Sequence, residues 1–198
     1  GFMRKIDRNV KVYNIQTVED AEKLAFSFLK DGQTVSFGGS MTLEDTGMLT
    51  ALRHDPGITL LDRAQAKTPE ETKKIYHDAL SSDFYFMSTN AITKDGELVN
   101  IDGTGNRVAA LIYGPEHVIV MAGMNKVAAN VDEALSRVHG TATPMNCKRL
   151  GKNTPCSATG VCSDCLSPDC ICNQVVITRR SGIEGRIKVI LIGEELGY

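Results

Sequence analysis

Six cysteines fall between positions 147 and 172 of a 198-residue chain whose preceding positions carry none. Thiolates are the side-chain ligands that favour soft metal centres. From Cys156 the spacing runs C-x5-C-x2-C-x6-C through Cys162, Cys165 and Cys172. The two-residue gap turns the sulfurs of Cys162 and Cys165 toward one centre, and Gly160, Ser167 and Pro168 supply the bends that return the other two. Four thiolates around one point suit zinc or an iron–sulfur cluster. The pattern matches neither the bacterial ferredoxin run nor a zinc ribbon with two CxxC knuckles, so it marks a metal site without naming the metal. Buried thiols or reversible disulfides use the same residue type, with Cys147 and Cys170 as spare thiols or substitute ligands.

The second group with chemical potential is glycine-rich. The apolar run TVSF opens directly into Gly38, Gly39 and Ser40, and a helix is expected from about Thr42 to Arg53. Glycines let backbone amides approach a ligand closely, and a helix start favours an anion, although the same glycines serve a tight turn equally well. Further on, Asn90, Asn100, Asp102, Gly103, Gly105 and Arg107 surround a second glycine-rich opening into a helix expected over Asn106 to Tyr113. Arg107 is the best single candidate for gripping a carboxylate or phosphate, because a guanidinium holds such groups through two parallel hydrogen bonds. The competing reading keeps Asp102 and Gly103 as a turn pair and Asn106 as a helix cap. His54, His77, His117 and His139 are scattered without metal-ligand spacing. The chain contains no HExxH, P-loop, GxSxG or dinucleotide fingerprint.

These residues need a frame to hold them. Val18, Ala21, Leu24, Ala25 and Phe28 recur at helical spacing behind Thr17, and Thr68 with Glu71 forms a capping box around Pro69. Short apolar strands are expected at Thr34 to Phe37, Ile58 to Asp62, Asp83 to Ser88 and His117 to Ala122, with helices between them. A strand ELVNID, a helix Asn125 to Arg137 and a late strand pair at Gln174 to Thr178 and Arg186 to Ile192 complete the pattern. Alternation of this kind predicts a three-layer α/β/α Rossmann-like sandwich with a mainly parallel sheet. One domain is expected, with the cysteine-rich stretch at about 147–172 as an insertion before the last strands.

A formal charge of −2 leaves no electrostatic footprint for nucleic acid or anionic lipid. No apolar run reaches the roughly 18–20 residues that a bilayer span needs, and the start has no signal-peptide pattern. A cytoplasmic protein is expected, in which structural disulfides are rare.

Four segments, SFGGSMTLEDTGML, STNAITKDGELVNIDGTGNRVAALIYGPEHVIVMAGMNK, CKRLGKNTPCSATGVCSDCLSPDCICN and EELGY, resemble the lactate-utilization (LUD) domain family in the order of that family. The resemblance implies a fold similar to the sugar-phosphate isomerase and CoA-transferase superfamily. It also implies that Cys156, Cys162, Cys165 and Cys172 are the recurrent cysteines, with Cys147 and Cys170 as additions. Family members accompany iron–sulfur proteins in the oxidation of L-lactate to pyruvate. The implied role is therefore a component or assembly partner of such a system, with a small carboxylate or phosphate ligand, an iron–sulfur partner protein and a homodimeric state as further expectations.

The stretch STNAITKDGELVNIDGTGNRVAA also resembles a segment of the methylthioribose-1-phosphate isomerases and the related initiation factor 2B subunits. Where those isomerases carry an aspartate for proton transfer, this chain has Asn90, and an amide is neither acid nor base near neutral pH. The alternatives are a small-anion or sugar-phosphate binding protein, or an isomerase-like enzyme, with a structural zinc; a third reading is a thiol switch.

Overall fold

A computed structural model describes residues 8–198. The first half of the chain forms β1 (Lys11–Ile15), α1 (Val18–Ser27), β2 (Thr34–Phe37), α2 (Met41–Asp45), α3 (Met48–His54), β3 (Thr59–Leu61), α4 (Pro69–Ala79), β4 (Phe84–Met87), β5 (Ala91–Thr93) and β6 (Leu98–Asp102). The second half forms α5 (Asn106–Ile112), β7 (His117–Gly123), β8 (Val127–Ala128), α6 (Val131–Arg137), α7 (Thr143–Arg149), α8 (Pro155–Thr159), β9 (Gln174–Thr178) and β10 (Ile187–Ile192).

The runs FYFM, HVIVMAG and IKVILI lack polar alternation, as strands covered on both faces must. They sit inside a parallel sheet ordered β1-β10-β7-β4-β2-β3. One face packs on α1, α2 and α3 through Ala21, Ala25, Leu43, Leu49 and Leu52. The other packs on α4 and α5 through Ala79, Ala110 and Leu111. This is the expected α/β/α sandwich.

A second sheet, ordered β8-β5-β6-β9, is built onto the same core, since Ile92 and Leu98 pack with Val118 and Val120. Its far face is closed by Ala134 of α6 and by Val138 just beyond it, packed against Ala91 and Val99. The strand Gln174 to Thr178, expected beside the last strand in the main sheet, instead runs antiparallel to β6 as an edge of this small sheet. Its alternating burial, with Val175 and Ile177 exposed, suits an edge better than a sandwiched strand.

Other boundaries also differ. The expected helix over Thr42 to Arg53 is two helices, because Gly47 takes the left-handed conformation at φ 72° between them. The expected helix from Asn125 starts only at Val131, where the Asn130 side chain accepts from Glu133 N. Residues 124–126 form a 3-10 turn and the next two become β8. Between α6 and α7, Val138–Ala142 winds as a π-helical turn that contains Gly140 and precedes Pro144, a residue without an amide donor.

The carbonyls at the end of α5 are satisfied from a distance. Arg186 is buried and donates to Ala110 O, Leu111 O and Pro115 O, a favourable place for a cation.

Candidate functional site

At the C-terminal ends of β2, β4 and β7 the loops enclose a cavity of about 420 Å³. In open parallel sheets this end is where ligands bind. Gly39 and Ser40 come from the β2 end, Ser88 to Asn90 from the β4 end, and Lys126 from the turn after β7. The small sheet adds Asp102 and Gly103, α7 adds Arg149, and the cysteine loop adds Cys170.

Most of the residues expected to hold a ligand form the floor of this cavity and are tied to one another. Arg107 Nη1 donates to Ser88 O and Asn100 Oδ1, and Nη2 donates to Asn90 Oδ1 and Ile101 O. Its Nε lies 3.4 Å from Asp102 Oδ2. All three nitrogens are therefore engaged inside the protein. Burial lowers the guanidinium pKa, with Asp102 opposing the shift.

The partners are committed in turn. Asn90 Oδ1 also accepts from Ile101 N, and Asn100 Oδ1 also accepts from Asn90 N. Asp102 accepts from Gly105 N and Val108 N, so it anchors the turn into α5, and Gly105 rather than Asn106 occupies the cap position. The network locks the β4–β5 junction to the end of β6.

The first glycine pair is likewise structural in part. Gly38 N donates to Phe86 O, and a Cβ at Gly38 would stand 3.0 Å from Arg107 Cγ and 3.1 Å from the Tyr85 hydroxyl. Glycine is needed there to admit the arginine stem. Ser40 caps α2 by accepting from Leu43 N, and α2 is too short for a strong helix dipole. Gly39 and Ser40 reach the cavity, whereas Gly38 and Asn100 lie behind its surface.

Beyond Arg107 and Asp102, the cavity's charged groups are side chains that the sequence patterns did not single out. Among the described residues five basic side chains line it, Arg63, Arg107, Lys126, Arg149 and Lys152, against one carboxylate, Asp102, which already faces Arg107. Arg63 donates to the Tyr76 hydroxyl, and Arg149 to the Tyr198 hydroxyl and Asn146 Oδ1. These last contacts leave both arginines exposed to an incoming anion.

Lys126 is only 4 % exposed. Its Nζ donates to Thr42 Oγ1 at 2.8 Å and Ser88 Oγ at 3.1 Å. Burial, then Arg137 and Arg107, press its pKa down to about 7, with Asp45 opposing. The available signal was positional: Asn125-Lys126 directly follows the apolar run of a central strand, at the sheet end where ligands bind.

The cysteines gather in one region without sharing one centre. Cys147 on α7 and Cys156 on α8 are buried and interact, and Thr154 lies 3.4 Å from the Cys156 sulfur. Cys172 N donates to Cys170 Sγ, and Cys172 Sγ faces Thr143. Cys162 Sγ lies 3.4 Å from His139 Nδ1, a contact that the π-helical turn makes and that histidine spacing did not foretell.

Burial raises Cys147 to about 11 and Cys172 to about 12, so both are thiols at neutral pH and slow to oxidise. Among the described residues, no three His, Cys, Asp or Glu side chains converge as metal ligands. Gathering Cys156, Cys162, Cys165 and Cys172 at one point would require the irregular 160–173 loop to turn Cys162 away from His139 and Cys172 away from Thr143.

The fold and cavity define an α/β protein of the Rossmann-like sandwich class with a cationic cleft at its strand ends. The chain belongs to the LUD domain family, whose model matches residues 6–192, and is thus a lactate-utilization-type protein. No curated protein matches it. Among solved structures it is similar to a DUF162 family protein from Deinococcus radiodurans, with TM-score 0.52, 14% identity, and coverage of 94% of this chain and 90% of that one. Weaker likenesses are the tetrameric eIF2B-beta2-delta2 complex from C. thermophilum, with TM-score 0.43, 15% identity and coverage of 87% and 54%, and ribose 5-phosphate isomerase from Plasmodium falciparum, with TM-score 0.35, 15% identity and coverage of 57% and 52%. At such identities the Deinococcus structure speaks for the fold alone. No helix among the described residues is long and apolar enough to cross a membrane.

Proposed function

We propose that the cavity binds a small carboxylate or phosphate anion, and that the protein acts in cytoplasmic carboxylic-acid redox metabolism as a component or assembly partner of an iron–sulfur L-lactate oxidation system. The observation that carries the anion reading is the set of lining cations Arg63, Arg149 and Lys152, which among the described residues meet no lining carboxylate other than Asp102, already engaged by Arg107. Low-dielectric walls strengthen such a field at the ligand. Membership of the LUD family supports the metabolic setting.

Titration calorimetry with L-lactate, pyruvate, inorganic phosphate and a sugar phosphate tests the reading. At least one of these anions should bind in low salt and weaken as salt rises. Arg149→Ala should lower that affinity about tenfold, the size of one charge-assisted contact. Because Arg149 is exposed, its loss should change stability by no more than about 0.5 kcal/mol. Binding of none of the four anions would remove the proposal.

The same proposal keeps Cys156, Cys162, Cys165 and Cys172 as the residues that would hold zinc or an iron–sulfur cluster after the loop movement described above. Four thiolates would supply an electron-transfer centre with iron, or a structural tie with zinc. Anaerobic purification with metal analysis and a visible spectrum checks it, beside a variant carrying Cys162→Ser and Cys165→Ser. Iron and sulfide lost in the variant are the expected result. Zinc would favour a structural role, and no metal in either protein would remove the metal-centre part of the reading.

A further inference from the structure

We propose that Lys126 Nζ is a nucleophile that forms an imine with the carbonyl carbon of a small oxo acid or oxo phosphate held in the cavity. This rests on the anion reading and adds the chemistry done to the anion.

Three observations favour an attacking amine over a simple cation. First, among the described residues no carboxylate pairs with Lys126, whose two partners there are the neutral hydroxyls of Thr42 and Ser88. An ammonium has three protons to place, whereas a neutral amine has two and a lone pair. Second, the two hydroxyls direct their own protons elsewhere, Thr42 to Leu196 O and Ser88 to Thr89 O or Thr42 Oγ1. They therefore meet Nζ as acceptors, and the nitrogen lone pair stays available. Third, the backbone is brought close over the amine: a Cβ at Gly197 would stand 3.3 Å from Nζ and 2.7 Å from Thr42 Oγ1. Burial of this kind keeps water from the nitrogen while its residue still lines the cavity.

The charged groups around Lys126 act in the same direction. Arg137 on α6 and Arg107 on α5 disfavour the ammonium, outweighing Asp45 on α2, and the amine is half neutral at about pH 7. An exposed lysine reaches that point only at about 10.4.

The step balances without an oxidant. Nζ adds to the carbonyl carbon, an amine proton passes to the carbonyl oxygen through the Ser88 or Thr42 hydroxyl, and the carbinolamine loses water to leave C=N. Arg63, Arg149 and Lys152 are the cavity cations for the anionic end of the ligand. The C=N bond, once its nitrogen takes a proton back from the Ser88 or Thr42 hydroxyl, then draws electrons from the neighbouring carbon.

The test incubates the protein separately with pyruvate and dihydroxyacetone phosphate in the presence of cyanoborohydride, with intact-mass and peptide mapping. L-Lactate and inorganic phosphate, which lack a carbonyl, are controls, and calorimetry is run in parallel. The expected product is an adduct of ligand mass less one oxygen, confined to Lys126 and absent with the controls. Labelling with pyruvate alone would identify an oxo acid, and labelling with the other ligand alone an oxo phosphate.

The trapping rate should rise about tenfold from pH 6 to pH 8 before levelling, as the amine loses its proton. Lys126→Arg should keep anion binding and lose the adduct. Mapping on the unaltered protein decides the matter even if that variant fails to fold. Binding without an adduct, or labelling spread over exposed lysines, would overturn the inference and leave the anion reading standing, whereas absence of binding by all four ligands would remove both.

Discussion

Arg107→Ala is expected to lower the stability of the fold by about 3–5 kcal/mol, the range for removing one partner from a buried charge network. The side chain is 13 % exposed and carries five contacts, to Ser88, Asn90, Asn100, Ile101 and Asp102. Truncation leaves Asp102 as a buried carboxylate without its cation and strips acceptors at Asn90 and Asn100 of a donor. The stem also fills the space beside Gly38, so a cavity adds to the loss. Urea denaturation followed by circular dichroism reads the change. Lys in place of Arg should recover only part of it, because an ammonium cannot reproduce the planar fork. A loss below about 1 kcal/mol together with a large fall in anion affinity would contradict the geometry. It would return Arg107 to the ligand-gripping role that its sequence position suggests.

That contrast shows how far the sequence reaches. The buried strand runs and capped helices are local signals, and TVSF emerges as β2 with the expected bounds. The capping box at Thr68 is realised by Glu71 N donating to Thr68 Oγ1 and by the Glu71 carboxylate accepting from Lys67 N. Of the residues that the glycine-rich pattern singles out, Asn90, Asp102, Gly103 and Arg107 line the cavity, while Asn100 and Gly105 do not. Their pattern does not reveal which way the hydrogen bonds run, because an arginine that grips an anion and one that braces a loop look alike in sequence.

The small sheet is legible only in part: ELVNID and Gln174 to Thr178 read as strands and become β6 and β9, but neither their pairing nor β5 and β8 can be read. A two-residue β8 and a three-residue β5 have no period of their own, and β9 takes its place only when β6 is folded beside it. Likewise Arg186 reads only as the start of the last strand until the folded sheet carries it beneath α5. The contact between Cys162 and His139 depends on a π-helical turn whose extra residue shifts the helix face, a displacement that spacing rules omit.

Lys126→Met is expected to stabilise the protein at pH 6 by about 1–3 kcal/mol while abolishing the imine adduct. The sign follows from the lowered pKa. In the unfolded chain the amine keeps its proton up to about pH 10.4, whereas in the fold it loses it above about 7. Between these values the unfolded state binds more protons, so the stability of the lysine protein rises with pH by about 1.4 kcal/mol per unit at most. Below about 7 the cost of holding the ammonium in a buried site is fully present, and methionine removes it.

Lost hydrogen bonds to Thr42 and Ser88 offset part of the gain, which is why the expected figure stays below the full linkage value. The advantage of methionine should shrink as pH is raised and level off only above about pH 10.4, where both states of the lysine protein carry a largely neutral amine. Urea midpoints for the two proteins at pH 6, 8 and 9.5 measure it. A difference that does not change with pH would mean that Lys126 is an ordinary ammonium in the fold. A shrinking difference would mean that the protein maintains a buried amine at a cost to its own stability, as expected of a residue kept for its chemistry.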